Sequence, residues 1–403
     1  MGAGNRSGFR EIVAWLVEKE PDWIKLNIPL FVEHGRWDDL KVLLGTSLEK
    51  DAANYWSKAV DNGDALAAKW VSRKKDAKPI RKALKLSPRD FRKKVSGLTQ
   101  VVETLMCGNK WNEIKYPHVP SKAMASYTNA FKKHDLPRFE EFKNAVEKGD
   151  AKINASTLFP HDCVRTHRNG DKETAKLQFN ALPDYFGESN QRVMVIADSS
   201  GSMDINIAGD IRAIDVCMAL ALYCSDRLGK ENPFYRKFIQ FCSESELTDW
   251  TKHDFTSALG DCSGWHSSGI FNGACGSTRI DKALDMLLSM GKMFNATDEQ
   301  MPNVLLILSD MQFTDGVYDE SSNKGAVDQC IDRWVEAGFQ APKIVYWNLD
   351  GDAGSPATVD SKNTGLVSGF SPSILKAVFS GDDFSPIAIM NRAIEKYEVK
   401  VPA

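Results

Sequence analysis

The chain has 403 residues, 42% hydrophobic and 26% charged, which is ordinary for a soluble globular protein and too long for one compact core. No apolar run approaches the roughly 18 residues that span a bilayer, and the start, MGAGNRSGFREIVAW, lacks the apolar centre of a secretion leader, so no membrane association and cytoplasmic residence are expected. The net charge of −3 hides a split: residues 1–190 carry 33 Lys and Arg against 25 Asp and Glu, residues 191–403 carry 18 against 29, and the two halves should meet different partners.

From Gly8 to about Lys148, apolar residues recur at helical spacing, as in Phe9, Ile12, Val13 and Leu16, or Leu40, Val42 and Leu43. Breaks at Pro21, Gly35, Gly45, Gly63, Pro79, Pro88, Gly108, Pro117 and Pro137 divide this region into short paired helices, the pattern of a stacked solenoid, although no strict repeat is present. Gly35-Arg36-Trp37-Asp38 reads as a corner between helices with a buried indole.

Between Lys69 and Lys94 stand twelve Lys and Arg against only Asp76 and Asp90. The spacing of Lys78, Arg81, Lys82 and Lys85 puts them on one helical face, and Arg89, Arg92 and Lys93 repeat the arrangement after Pro88. With Lys74, Lys75 and Lys94 these form a candidate surface for RNA phosphates; a solvated helix face is the competing reading. Trp70, Phe91 and Trp111 are candidates for stacking on bases, or core residues.

Helical periodicity lapses over 151–190, where one helix is expected around Lys172–Phe179, so the domain boundary is set at 185/186. Beyond it strands and helices alternate: strand Arg192–Ala197, helix Asp210–Leu228, strand Lys237–Cys242, helix Arg279–Met293, strand Val304–Leu308, helix Ala326–Ala337, strands Lys343–Asn348 and Thr364–Val367, and helices from Pro372 and Ser385. Such alternation predicts a doubly wound, Rossmann-like parallel sheet with ligands at the carboxyl ends of its strands. Eight cysteines show no paired spacing and are read as reduced thiols. Cys163 near His161 and His167 lacks a second cysteine pair and reads as part of a polar loop rather than a zinc site.

The first strand runs into Asp198-Ser199-Ser200-Gly201-Ser202. One carboxylate with two hydroxyls is a partial cage for a hard cation such as Mg2+ or Mn2+, and is also a common helix cap. Thr278 stands just before an apolar helix and Asp310 ends a buried strand, both expected at the same sheet edge. In this order the residues resemble the metal-ion-dependent adhesion site of von Willebrand factor A domains. The resemblance implies that Ser200, Ser202 and Thr278 hold the ion directly, that Asp198 and Asp310 act mainly through water, and that one position stays open for a partner carboxylate.

The segments VEHGRWDDL (32–40), FRKKVSGLTQVVETL (91–105), WNEIKYPHVPS (111–121) and YTNAFKKHD (127–135) are similar to the TROVE module of Ro ribonucleoproteins, a HEAT-like helical array followed by a von Willebrand factor A domain. The likeness is to the Ro-like family of phages, large viruses and plants. It implies a TROVE-like domain over 1–185, a von Willebrand factor A-like domain over 186–403, and binding of small structured noncoding RNA without catalysis. At roughly 40 residues per helix pair the helical part supplies about four pairs, which leaves ring closure open, and the start at Met1-Gly2 reads as a shortened N-terminus. The alternative is a metal-dependent protein-protein adaptor with no RNA role.

Overall fold

The computed structural model describes residues 6–71, 77–99, 101–155, 158–186, 191–209, 211–260, 277–313, 326–351, 364–369, 375, 386–395, 397 and 399–402. Two compact units arise, Met1–Lys115 with Tyr397–Ala403, and Tyr116–Lys396. Among the described residues no helix is long and apolar enough to cross a membrane.

The first unit is helical: α1 (Arg6–Lys19), α2 (Pro21–Leu26), α3 (Leu30–Glu33), α4 (Glu49–Asp61), α5 (Ala65–Trp70), α6 (Lys78–Ala83), α7 (Pro88–Leu98) and α8 (Val102–Cys107). The sequence starts these helices by local chemistry. The Asp64 carboxylate accepts from the Leu66 and Ala67 amides ahead of α5, and the Ser87 hydroxyl accepts from the Asp90 amide ahead of α7, whose first-turn Pro88 lacks only an amide that would have no helical partner. At the expected corner, a Cβ on Gly35 would lie 2.5 Å from the Phe31 carbonyl oxygen, so only glycine fits. Trp37 is buried there on Tyr55, with ring centroids 5.7 Å apart, and Trp56 donates its indole N–H to the Ala67 carbonyl at 2.9 Å. The returning C-terminal residues are tied in by Asn27, which donates to the Lys400 carbonyl at 2.8 Å and accepts its amide at 2.9 Å.

The second unit opens with α9 (Ser121–Lys148), α10 (Pro160–Arg168) and α11 (Lys172–Asn180). Its strands are β1 (Val193–Asp198), β2 (Asn206–Ala208), β3 (Ile211–Arg212), β4 (Lys237–Phe241), β5 (Ser245–Asp249), β6 (Val304–Ser309), β7 (Lys343–Asn348) and β8 (Thr364–Ser368), and its further helices α12 (Ala213–Asp226), α13 (Phe255–Leu259), α14 (Ile280–Met293), α15 (Ala326–Glu336) and α16 (Pro386–Ile394). The main sheet runs β5-β4-β1-β6-β7-β8, parallel throughout except for the β4–β5 hairpin, while β2 and β3 pair by themselves. Strand pleating sends Val193, Val195 and Ala197 to one face and Met194 and Ile196 to the other, and each face has its own core. α12 is apolar all round, as a helix must be when it is covered on every side.

Three expectations change. The boundary expected at 185/186 falls inside the second unit, because Cys163, Val164, Ala175 and Phe179 of α10 and α11 share a core with Val193, Val195 and α12. The stretch around His161, Cys163 and His167 is not a polar loop but α10, with all three side chains buried. Cys242 is in a disulfide whose partner lies outside the described residues, whereas Cys107, Cys163, Cys217, Cys224 and Cys330 are free thiols; through-space approach of this kind is not carried by chain spacing. β5, α13 and the β2–β3 hairpin are additions, and the start of the helix expected from Pro372 lies outside the described residues.

Candidate metal centre and basic face

From β1 the chain passes through α12 to β4 on one side, then crosses to β6 on the other side of β1, so strand order reverses between β1 and β6. The crevice beyond the carboxyl ends of two such strands is where doubly wound sheets take ligands. β1 ends in Asp198, and Asp310 directly follows β6.

The turn after β1 is tightly specified. Ser199 is pinned to the end of β4, its amide and hydroxyl both donating to the Phe241 carbonyl at 2.9 and 3.1 Å. Asp198 Oδ1 accepts from the Ser200 amide at 2.9 Å, and Oδ2 accepts from the Ser309 hydroxyl at 2.6 Å. A short 3-10 turn over Gly201–Met203, anchored by the buried Met203, brings the Ser200 and Ser202 hydroxyls within 3.1 Å of each other. Asp310 Oδ1 accepts from the Gln312 amide at 3.0 Å, and Oδ2 is buried with no hydrogen-bond partner among the described residues.

Thr278 is buried just before α14, next to Arg279, whose amide donates to the Cys242 carbonyl at 2.8 Å. Since Phe241 pairs with Asp198 in the sheet, this bond brings residue 278 to the edge that carries the other four candidates. The stretch 261–276 before it lies outside the described residues. Among the described residues no three His, Cys, Asp or Glu gather as a metal site; this candidate set is two carboxylates and three hydroxyls.

Burial dominates the electrostatics. Asp198 and Asp310 are both 0% exposed. Burial pushes the Asp198 carboxyl up to about 6, and the nearby Asp310 charge adds to the rise, against hydrogen bonds from Ser200 and Ser309 that lower it. Two buried acids, one with an unpartnered oxygen, beside hard hydroxyl donors make a set that suits Mg2+ or Mn2+.

Two features of this edge escape a sequence reading. Ser309 is the buried donor that fixes Asp198. Arg212 donates to Asp204 at 2.9 Å and to both oxygens of Asp215 at 3.1 and 3.2 Å, while Arg168 of α10 grips the same Asp215 with two nitrogens, so the far end of the 198–204 turn is anchored as well. A serine before the aspartate that follows β6, and an arginine directly before α12, are visible but carry no signal of their partners.

In the first unit, Lys74 and Lys75 lie outside the described residues. Lys78, Arg81 and Lys82 stand on α6 and Arg89, Arg92, Lys93 and Lys94 on α7, but Lys85 does not extend the α6 face: it follows the helix end at φ 55, where the chain turns toward Pro88. Arg81 donates to the Leu86 carbonyl at 2.9 Å and Lys94 pairs with Asp61 at 2.5 Å, so these two serve the fold. Lys78, Lys82, Lys85, Arg89, Arg92 and Lys93 are exposed. Beside them an open groove is floored by Val60, Leu86 and Leu98 and rimmed by Asp61, Asp90 and Lys93. Phe91 is core, Trp70 is half-buried with the Arg36 guanidinium 5.9 Å from its ring, and Trp111 is half-buried and donates to Asn109 at 2.8 Å.

Two family models match the chain, one described as Domain of unknown function (DUF7788) over residues 192–400 and one as Domain of unknown function (DUF2828) over residues 62–194. An uncharacterised protein of Acanthamoeba polyphaga mimivirus is 23% identical over 367 residues, 83% of this chain; the chain spans 61% of that curated relative's length. Among solved structures, the crystal structure of the Deinococcus radiodurans RO (RSR) protein matches with a TM-score of 0.38 and 12% identity, over 96% of this chain and 94% of that one, a likeness too distant to transfer any property.

Proposed function

Because the chain belongs to the DUF7788 family, whose description brings no activity with it, we propose a function from the residues themselves: a non-enzymatic, Ro-like RNA-binding protein whose α/β unit, of the von Willebrand factor A type, holds one divalent cation for a partner ligand. Asp310 carries the metal reading. Its carboxylate is fully buried with one oxygen unpartnered among the described residues, close enough to Asp198 to raise that group's pKa, and uncompensated buried charge of this kind calls for a cation. Ser200, Ser202 and Thr278 would supply hydroxyl oxygens, with Asp198 and Asp310 balancing charge. When bound, Mg2+ or Mn2+ would present a positive position to an anionic oxygen of the partner. The chain's own part is to hold the hydroxyls in place: the Ser200 amide is fixed by Asp198, and the turn is closed by Met203 and Arg212.

The RNA reading is supported by the TROVE-like segments, the first two of which fall in a unit of short paired helices compatible with a HEAT-like array, and by six exposed cations of that unit that pair with no acid among the described residues. Phosphates would meet these cations, and the apolar groove floor beside Lys93 suits an unstacked base. Filter binding with small structured RNA tests it. Wild type should bind with a steep salt dependence, and reversal to Glu at Lys78, Lys82, Arg89, Arg92 and Lys93 should flatten the slope by about 0.7–0.9 for each phosphate that is no longer neutralised. Unchanged affinity and slope would remove the reading.

One observation favours the adaptor alternative: Arg81 and Lys94 of the basic run are already engaged within the fold. Under that reading Asp310→Ala changes the proteins captured with the chain and leaves nucleic acid capture at background throughout. The proposal assigns binding and no turnover, so turnover of RNA or of a phosphoester that is lost in Asp310→Ala would contradict it.

A further inference from the structure

Ser309 closes β6 at 0% exposure, and its hydroxyl makes two hydrogen bonds of opposite sense. It donates to Asp198 Oδ2 at 2.6 Å and accepts from the Met311 amide at 3.0 Å. One hydroxyl therefore joins the two carboxylate-bearing turns, 111 residues apart in the chain. On the Asp198 side, Oδ1 is already held by the Ser200 amide at 2.9 Å, so with Ser309 in place the carboxylate cannot swing without breaking one of two bonds. On the other side, Met311 stands at φ 64, a left-handed conformation that a non-glycine residue adopts only when its surroundings hold it. The Ser309 hydroxyl receives the amide of that residue, and Asp310 lies between the two.

We propose that Ser309 is a positioning residue of the cation site: it sets the plane of the Asp198 carboxylate and the turn that presents Asp310, and so governs divalent-cation affinity without itself belonging to the five-residue ligand set. This rests on the metal reading above. A hydroxyl that orients such acids acts as outer-sphere partners of metal ligands do, and its removal weakens metal binding by about 10–100-fold.

Threonine and valine differ at one atom pair, hydroxyl against methyl, and make a matched test. Mn2+ affinity of the full chain is measured by electron paramagnetic resonance for wild type, Ser309→Thr, Ser309→Val and Asp310→Asn, at a temperature where circular dichroism shows each folded. Ser309→Thr should match wild type, and Ser309→Val should bind about 10–100-fold more weakly. If the valine chain does not fold, Ser309→Ala removes the hydroxyl without added volume and gives the same readout. Equal affinity in the threonine and valine chains overturns the proposal, and so does equal weakening in both, which assigns the effect to packing. Wild-type binding lost in Asp310→Asn but unchanged in Ser309→Val leaves the cation site standing and removes Ser309 from it. Absence of Mn2+ binding in wild type overturns the metal reading and this proposal with it.

Discussion

Replacing Asp310 by Asn should make the metal-free protein more stable and remove its response to Mg2+. The side chain is 0% exposed, Oδ1 accepts from the Gln312 amide at 3.0 Å, and Oδ2 has no partner among the described residues. An asparagine oxygen keeps the Gln312 bond while the charge disappears. Asp198, pushed from 3.8 to about 6 chiefly by burial and in part by Asp310, bears a strain of roughly 3 kcal/mol at neutral pH, of which the Asp310 charge is the smaller share. Relief of that share and of the uncompensated oxygen, less the cost of burying an amide N–H, should leave a gain of about 1 kcal/mol, or roughly 2–4 °C in melting temperature. In wild type, Mg2+ at ten times its Kd should add about 1.4 kcal/mol by mass action. Calorimetric melts in EDTA and in excess Mg2+ decide the matter. An Asp310→Asn chain that melts below wild type in EDTA would show that the Asp310 charge is no burden on the metal-free fold, and one that keeps the Mg2+ increment would show that it is no part of the cation site.

Protonation gives a second test, in metal-free protein. Because the folded-state pKa of Asp198 is raised, the folded chain retains a proton between pH 3.8 and about 6 that the unfolded chain has lost, so this group's contribution is present at low pH and is lost as pH rises through 6. His161 has the opposite sign: burial pushes it from 6.5 to about 4, so its contribution is present above pH 6.5 and lost as pH falls toward 4. Relative to wild type, Asp198→Asn should tilt the stability curve upward with pH between 4 and 6 and His161→Gln should tilt it downward; denaturant titrations giving parallel curves would contradict both. In the helical unit, Gly35→Ala should cost about 1–3 kcal/mol, since its Cβ would meet a backbone oxygen at 2.5 Å, and a neutral result in urea unfolding would show that the corner gives way.

What the sequence shows of this fold follows burial. β1, β6 and β7 read clearly because each is a six-residue strand with a run of four or five apolar or aromatic residues inside the sheet, and the first and third loops of the site were legible because an aspartate ends or follows two of those strands. β5 did not read as a strand because SELTD is an edge strand with a single large apolar residue, Leu247, and its one buried side chain is the polar Thr248. α10 was hidden for the opposite reason: PHDCVRTHR is polar, yet His161, Asp162, Thr166 and His167 are buried against neighbouring helices, and that concealment moved the apparent boundary to 185. The basic run was visible as composition, but whether a lysine is free or spent depends on partners such as Asp61, 33 residues from Lys94. Ser309 was visible as a residue while its bond to Asp198 was set only by the register of β6 on β1.

The cation site is tested most directly by isothermal titration calorimetry of Mg2+ or Mn2+ into the wild-type chain and into variants lacking Asp310 or both Ser200 and Ser202. One ion per wild-type chain, lost in both variants while their circular dichroism stays native, is the outcome expected. No bound ion in wild type, or an ion retained in either folded variant, would contradict it.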